Sequence, residues 1–280
     1  MKQWNLIVDV ANCTNCNLCV LAVQDEYCGN EFPGYAAEMP KHGHRWIEIK
    51  QKVRGKAPIV DAAYLPVMCQ HCDDAPCIEA AENNAVTKRP DGIVIIDPRK
   101  SKGQKQIVDS CPYGAIWWNK EKEIPQHWNF DAHLIDEGWS APRADKVCAT
   151  EAIKAVKVEN SEMEKIIAEQ DLEELAPEHS TKPRVWYKNL YRYRDCFIAG
   201  SVAAETNGIV DCVEGASVSL KKDGAVMASA TTDIYGDFKF DKLPENGGDY
   251  SVEISADGRQ PLAFDVTLGE SQSFNDIMLT

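Results

Sequence analysis

Eight cysteines of this 280-residue chain stand at spacings that suit thiolate–metal chemistry. Cys13, Cys16 and Cys19 fall two residues apart in the run CTNCNLC. Cys69, Cys72 and Cys77 form a second trio in CQHCDDAPC, while Cys111 (SCPYGAI) and Cys148 (VCATEAI) stand singly. A C-x2-C-x2-C run wraps three corners of a polynuclear iron–sulfur centre, since each short step turns the chain around it. The fourth ligand comes from a distant C-P, which in two-cluster proteins serves the other half's cluster. Position 23, where a fourth local cysteine would complete the first run, is Val. Each trio therefore needs one distant partner, and Cys111 and Cys148 are the two candidates. Three plus one, taken twice, leaves none of the eight over. Cys111 keeps the full C-P-x-G-A cadence; Cys148 keeps its frame, with Ala149 for the proline and Glu151 for the glycine.

Other thiol chemistries fit less well. Zinc takes four cysteines, or three and a histidine such as His71, but a third cysteine in C-x2-C-x2-C is redundant for one tetrahedral ion. His71 is expected beside a ligand or at the surface. Eleven cysteines without a secretory h-region or twin-Arg address argue against a disulfide framework. Redox pairs of the thioredoxin kind lack their βαβ context. A 3Fe–4S centre would arise where a distant cysteine falls short, with Cys148 the place to look. Cys28, Cys196 and Cys212 stand alone and are expected to be buried or unremarkable thiols.

The elements that must position these groups are legible in part. MKQWNLIVDV reads as a strand running into the first cysteine loop. An acidic helix is expected near Ser161 to Gln170, with Ser161-x-x-Glu164 as a capping box and Met163, Ile166 and Ile167 as its apolar stripe. The aromatic and basic stretch TKPRVWYKNLY is expected as a return strand on the same core. Beyond it the character changes, since residues 196–280 carry 14 acidic and 5 basic residues. Alternating segments at 216–220, 237–243, 250–255 and 263–268 are separated by Lys222-Asp223-Gly224, Tyr235-Gly236, Asn246-Gly247-Gly248 and Asp257-Gly258. Val218 and Leu220, Phe238 and Phe240, and Val252 and Ile254 fall on one face, as in a small β-sandwich. That stretch resembles the carboxypeptidase-regulatory-like and Cna-B-like immunoglobulin-type modules, which implies a spacer or docking role. The fold class is thus α+β: ferredoxin-like units over 1–157, a helical and aromatic linker over 158–195, and an immunoglobulin-like all-β sandwich over 196–280.

The cysteine pattern over residues 1 to about 157 resembles the iron–sulfur beta subunits of the dimethyl-sulfoxide-reductase superfamily of molybdenum and tungsten enzymes. PGYAAEM, GHRWIEI, DGIVIIDPRK, CPYGAIWWN and TKPRVWYKNLYR, with the immunoglobulin-like tail, narrow it to the small subunits of pyrogallol–phloroglucinol transhydroxylase and resorcinol hydroxylase. The resemblance implies two fused ferredoxin-like units, a degenerate four-cluster domain in which the first and fourth cysteine groups pair and the second and third pair. It assigns Cys13, Cys16, Cys19 and Cys148 to one 4Fe–4S cluster and Cys69, Cys72, Cys77 and Cys111 to the other. A four-cluster subunit would carry further cysteines at Val23, Trp128, Asp131 and Ala144, and at Ala81, Ser101, Gln104 and Ile107. All eight are replaced here, so the losses follow whole clusters.

Function follows. No nucleophile motif, dinucleotide-binding glycine run or zincin helix occurs, so no catalytic residue is assigned and the chain is expected to be a non-catalytic subunit of a molybdenum-dependent oxidoreductase or transhydroxylase. The acids and histidines of QHWNFDAHLIDEGW are read as structural. The resemblance implies a large catalytic partner holding a Mo-bis(molybdopterin guanine dinucleotide) cofactor, in a heterodimer or higher assembly that acts on polyhydroxylated aromatics in anaerobic degradation, with an external electron acceptor where the net reaction is oxidative. A net charge of −14 speaks against nucleic acid or an anionic membrane surface, and no 18-residue apolar run spans a bilayer. A cytoplasmic location is expected. Two other readings remain: a mainly structural subunit whose clusters staple the fold, and a respiratory beta subunit wired to a membrane quinone partner.

Overall fold

The computed structural model describes residues 1–57 and 59–280, which separate into two units, 1–50 with 64–190 and 51–63 with 191–280. In the first unit QWNLIVD forms β1 (Gln3–Asp9), the first cysteine loop follows, and α1 (Leu18–Tyr27) leaves it. Strands β2 (Ile47–Lys56) and β3 (Ile59–Met68) form a long hairpin whose tip, 51–63, belongs to the second unit. Short pieces then surround the remaining cysteines. They are α2 (Pro76–Glu79), β4 (Val86–Lys88) paired with β5 (Val94–Ile96), and α3 (Gln106–Asp109). After them come β6 (Trp117–Asn119) paired with β7 (Ile124–Gln126), α4 (Ala132–Asp136) and α5 (Arg143–Lys146). The unit closes with β8 (Ile153–Val158), α6 (Asn160–Gln170) and β9 (Val185–Lys188).

Strand β1 is the spine of this unit. It is buried from Trp4 to Val8 and lies between β8, antiparallel to it, and β9, parallel to it. The aromatic return segment is therefore a strand on the first unit's core, with Val185 and Tyr187 fully buried. Helix α6 lays Met163, Ile166 and Ile167 over Ile7, Leu172 and Trp186. Its start differs from the expected capping box. Glu159 is the N-cap residue and no side chain caps the helix; the Glu159 carboxylate takes the Met1 ammonium instead, at 2.5 Å. Ser161 and Glu164 lie inside the helix, so burial of the apolar stripe, rather than a cap, fixes where it begins.

The second unit opens with α7 (Tyr191–Arg194) and β10 (Cys196–Thr206), then β11 (Ile209–Cys212), β12 (Ser217–Lys222), β13 (Ala225–Thr231) and β14 (Asp237–Leu243). It ends with β15 (Gly248–Ser255), β16 (Leu262–Leu268) and β17 (Gln272–Leu279). One sheet pairs β10 with β11, β14 and β17; the other runs β13-β12-β15-β16. Val218, Leu220, Phe238, Phe240, Val252 and Ile254 all enter one shared core. The period-2 reading of these strands holds because one face of each sheet is dry and the other wet.

Candidate metal centres

Asn15 and Asn17 hold φ of 57° and 61°. This is the left-handed conformation that Asn tolerates better than most side chains, and it reverses the chain inside each two-residue spacer. The Leu21 N–H donates to Asn17 O at 3.0 Å, which starts α1 and puts Cys19 in its first turn. Cys19 is buried, Cys13 half-buried and Cys16 exposed. Cys148 follows α5, its N–H donating to Asp145 O at 3.2 Å. The next turn closes with the Glu151 N–H on Cys148 O at 3.1 Å, and Gly114 closes the same turn on Cys111 O at 3.1 Å. Glu151 (φ 53°) thus adopts the left-handed conformation of Gly114 (φ 65°). A side chain there costs about 1–2 kcal/mol, which the turn after Cys148 bears. The Ile153 N–H points at Cys148 Sγ from 3.4 Å.

The charges within this group speak for its association. Burial pushes the Cys13 thiol up, the Asn15 N–H opposes this, and the charges of Cys148 and Cys16 add to it. Burial together with Cys13, Cys148 and Cys16 pushes Cys19 up to about 12.

The second group is more enclosed. Cys69 and Cys72 are buried, Cys77 and Cys111 half-buried. Pro76 sits in the first turn of α2 and leads into Cys77. Cys77 and Cys111 pack against Ala85, Val86, Val94, Ile96, Ile107 and Ile116. Burial raises Cys69 well above the ordinary thiol range, reinforced by Cys77, Cys72 and Cys111. Burial, Cys111 and Cys72 push Cys77 up to about 12. Cys72 is raised by burial, opposed by a hydrogen bond from the Thr181 hydroxyl and reinforced by Cys111. Thr181 is 2% exposed and its Oγ1 lies 2.7 Å from Tyr113 Oη. In that pair either hydroxyl can donate. The Lys88 ammonium donates to the carbonyls of His71 and Cys72 at 2.8 and 2.9 Å.

His71 is not a surface residue. It is 3% exposed, and its Nδ1 accepts the Val94 N–H at 3.1 Å and lies 3.9 Å from Cys69 Sγ. That nitrogen is committed to the backbone, so His71 lines the thiols rather than joining them. Among the described residues no three His, Cys, Asp or Glu side chains converge as tightly as a single ion needs. A cube spreads its thiolates farther apart than one tetrahedral ion does. Thiolates held together without positive charge repel one another, which adds to the burial that raises Cys13, Cys19, Cys69, Cys72 and Cys77. A cluster bound through its irons is the kind of centre these donors fit. Of the lone thiols, Cys196 is buried, Cys28 half-buried and Cys212 exposed.

Of the eight positions without cysteine, seven are buried and Ala81 is half-buried. Val23, Trp128, Asp131 and Ala144 are 1%, 0%, 0% and 0% exposed. Ser101, Gln104 and Ile107 are buried too, and Gln104 Oε1 accepts the Glu82 N–H at 2.8 Å. Thr181 and the Asp131 surroundings went unremarked in the cysteine spacing. Thr181 meets Tyr113 across 68 residues and Asp131 meets Tyr27 across 104, so no local pattern marks either contact.

A family described as a 4Fe-4S dicluster domain matches residues 60–158, and one described as a carboxypeptidase regulatory-like domain matches residues 198–280. With the thiol groups and the fold, these matches and the relatives below define an iron–sulfur, electron-transfer subunit of the dimethyl-sulfoxide-reductase type of molybdenum enzyme, and the chain belongs to that family. Within it, the chain is 44% identical over 262 residues to the pyrogallol hydroxytransferase small subunit of Pelobacter acidigallici, covering 92% of this chain and 93% of that one. It is 27% identical over 232 residues to the Hdr-like menaquinol oxidoreductase iron-sulfur subunit 1 of Archaeoglobus fulgidus, covering 68% and 84%. A tetrathionate reductase subunit from Salmonella typhimurium is 27% identical over 192 residues, covering 67% and 73%. No helix among the described residues is long and apolar enough to cross a membrane.

Proposed function

We propose that this chain carries two 4Fe–4S clusters, one on Cys13, Cys16, Cys19 and Cys148 and one on Cys69, Cys72, Cys77 and Cys111, within fused ferredoxin-like units. Its large partner would hold the molybdenum bis-pterin cofactor and hydroxylate or transhydroxylate polyhydroxylated aromatics, as the similarity to a pyrogallol hydroxytransferase small subunit suggests. The observation that carries the reading is the segregation of the thiols: α1, which carries Cys19, is tied through Arg143 to α5, which leads into Cys148, whereas Cys77 and Cys111 pack into one apolar cluster. When bound, the clusters supply one-electron storage and transfer. The chain's own residues hold the thiolates, set their hydrogen bonds through Thr181, Ile153 and the loop amides, and exclude water from Cys69 and Cys72. Thiols kept free of disulfides accord with a cytoplasmic location.

Iron and acid-labile sulfide in the purified complex test the count. Roughly eight of each per chain is expected, four for each 4Fe–4S cluster. A value near four or near twelve would show that a group of ligands is wrongly assigned. A structural role is favoured by one observation, the packing of Cys77 and Cys111 inside an apolar cluster. Paramagnetic resonance during turnover separates the two: conducting clusters change signal when the phenolic substrate is added, and staples stay silent.

A further inference from the structure

Asp131 is a buried carboxylate with every oxygen engaged. Its Oδ1 accepts the Trp128 indole N–H at 3.1 Å and lies 2.9 Å from the Tyr27 hydroxyl, whose one proton it shares with Asn129 Oδ1 at 2.5 Å, and its Oδ2 accepts the Arg143 backbone N–H at 2.8 Å. Tyr27 is the last residue of α1, the helix that carries Cys19. Arg143 is the first residue of α5, which ends two residues before Cys148. Pro142, at the cap position of α5, has no side-chain oxygen, so Asp131 supplies the cap from outside. The Arg143 guanidinium ties the same two helices again, to Asp25 at 2.6 Å and to Glu26. Glu26 in turn holds His133 Nε2 at 2.9 Å. A carboxylate 0% exposed is expensive unless its bonds do work elsewhere. Burial raises its pKa and the three donors oppose that rise.

We infer that Asp131 is the positioning residue of the first thiol group: by bracing α1 against α5 it sets Cys148 against Cys19. This rests on the ligand reading proposed above. The neighbouring cluster's environment, not merely the fold, then depends on it.

The test uses the intact complex, reduced and examined by paramagnetic resonance with redox titration. Cys148→Ser and Cys111→Ser identify which signal belongs to which group. Asn at 131 offers one acceptor oxygen and one donor, so Asp131→Asn breaks one side of the brace; Tyr27→Phe removes a single donor. Both are expected to change the line shape and midpoint potential of the signal lost in Cys148→Ser, Asp131→Asn more strongly, and to leave the Cys111-dependent signal unchanged. Two native signals in a folded Asp131→Asn complex, or equal changes in both, would overturn the assignment. Should Asp131→Asn not assemble, Tyr27→Phe decides by the same criterion. Loss of both signals, or of neither, in Cys148→Ser would instead bring down the ligand reading itself, whatever Asp131→Asn does.

Discussion

The potential of a thiolate-bound cluster is set by what touches its sulfurs, and the two groups differ there. The first has an exposed cysteine, Cys16, and an amide on Cys148; the second has buried sulfurs and the Thr181 hydroxyl on Cys72. A donor to sulfur draws charge away and favours the more negative, reduced centre. Thr181→Val keeps the shape and removes that donor, so the potential of the Cys111-dependent cluster should fall. If the bond is worth about 1 kcal/mol more in the reduced state, the fall is roughly 40 mV for one electron. Redox titration of the complex measures it. An unmoved midpoint, or a shift in the other signal, would refute the role given to Thr181.

At the scale of elements, the hairpin tip carries the second unit's most concentrated charge cluster. Arg54, 2% exposed, donates to Asp61, to Asp241 at 3.0 Å and to Asp195 O at 2.9 Å. Asp61 also takes Arg192, and Lys239 lies 3.4 Å away. Gly55 beside it holds φ +77°, and a Cβ there would meet Ile59 O and Phe197 Cζ at 2.5 Å, so only glycine fits. Burial pulls the Asp61 pKa upward, but its Arg and Lys partners outweigh that and lower it to about 2. A depressed carboxyl contributes stability above its unfolded pKa of about 4 and loses it as pH falls toward 2. The contribution is about 2 kcal/mol. Arg54→Met should cost about 3 kcal/mol at neutral pH by removing the buried cation that Asp61 and Asp241 share and leaving them only Arg192 and Lys239. It should also flatten the acid slope between pH 4 and 2, which urea melts across that range would measure. An unchanged slope would sink the account. This hairpin was not legible in the sequence. IEIKQKVR mostly alternates apolar with charged residues, but burial does not follow it, with Val53 exposed and Arg54 buried, because the strands its tip packs with lie more than 130 residues further on. The sandwich strands were legible, because Phe238 and Phe240, or Val252 and Ile254, alternate against solvent without any knowledge of partners. The cysteine trios were legible for the same local reason. Which single cysteine serves which trio, and the helix start at Asn160, depend on distant contacts that spacing does not encode.

Over the whole molecule, the two units are held by different physics, and metal removal should separate them. Around the second thiol group the elements are very short: α2 and α3 have four residues each, and β4 and β5 three each. Pieces that small bury too little apolar surface to order themselves, so thiolate–metal bonds would supply much of their folding free energy. The second unit has a continuous core running from Cys196 through Val218 and Phe238 to Leu279, and none of the eight clustered thiols lies in it. Extracting iron with an oxidant and a chelator should therefore abolish amide protection over residues 69–119. The strands β12, β14 and β15 should stay protected, as followed by hydrogen exchange. Thermal scans should lose one transition and keep the other. Loss of protection in both units together would mean that the sandwich depends on the metal-bearing unit. Full retention of protection over 69–119 would mean that the short elements hold themselves, and that the thiols are arranged by the protein fold before any iron arrives.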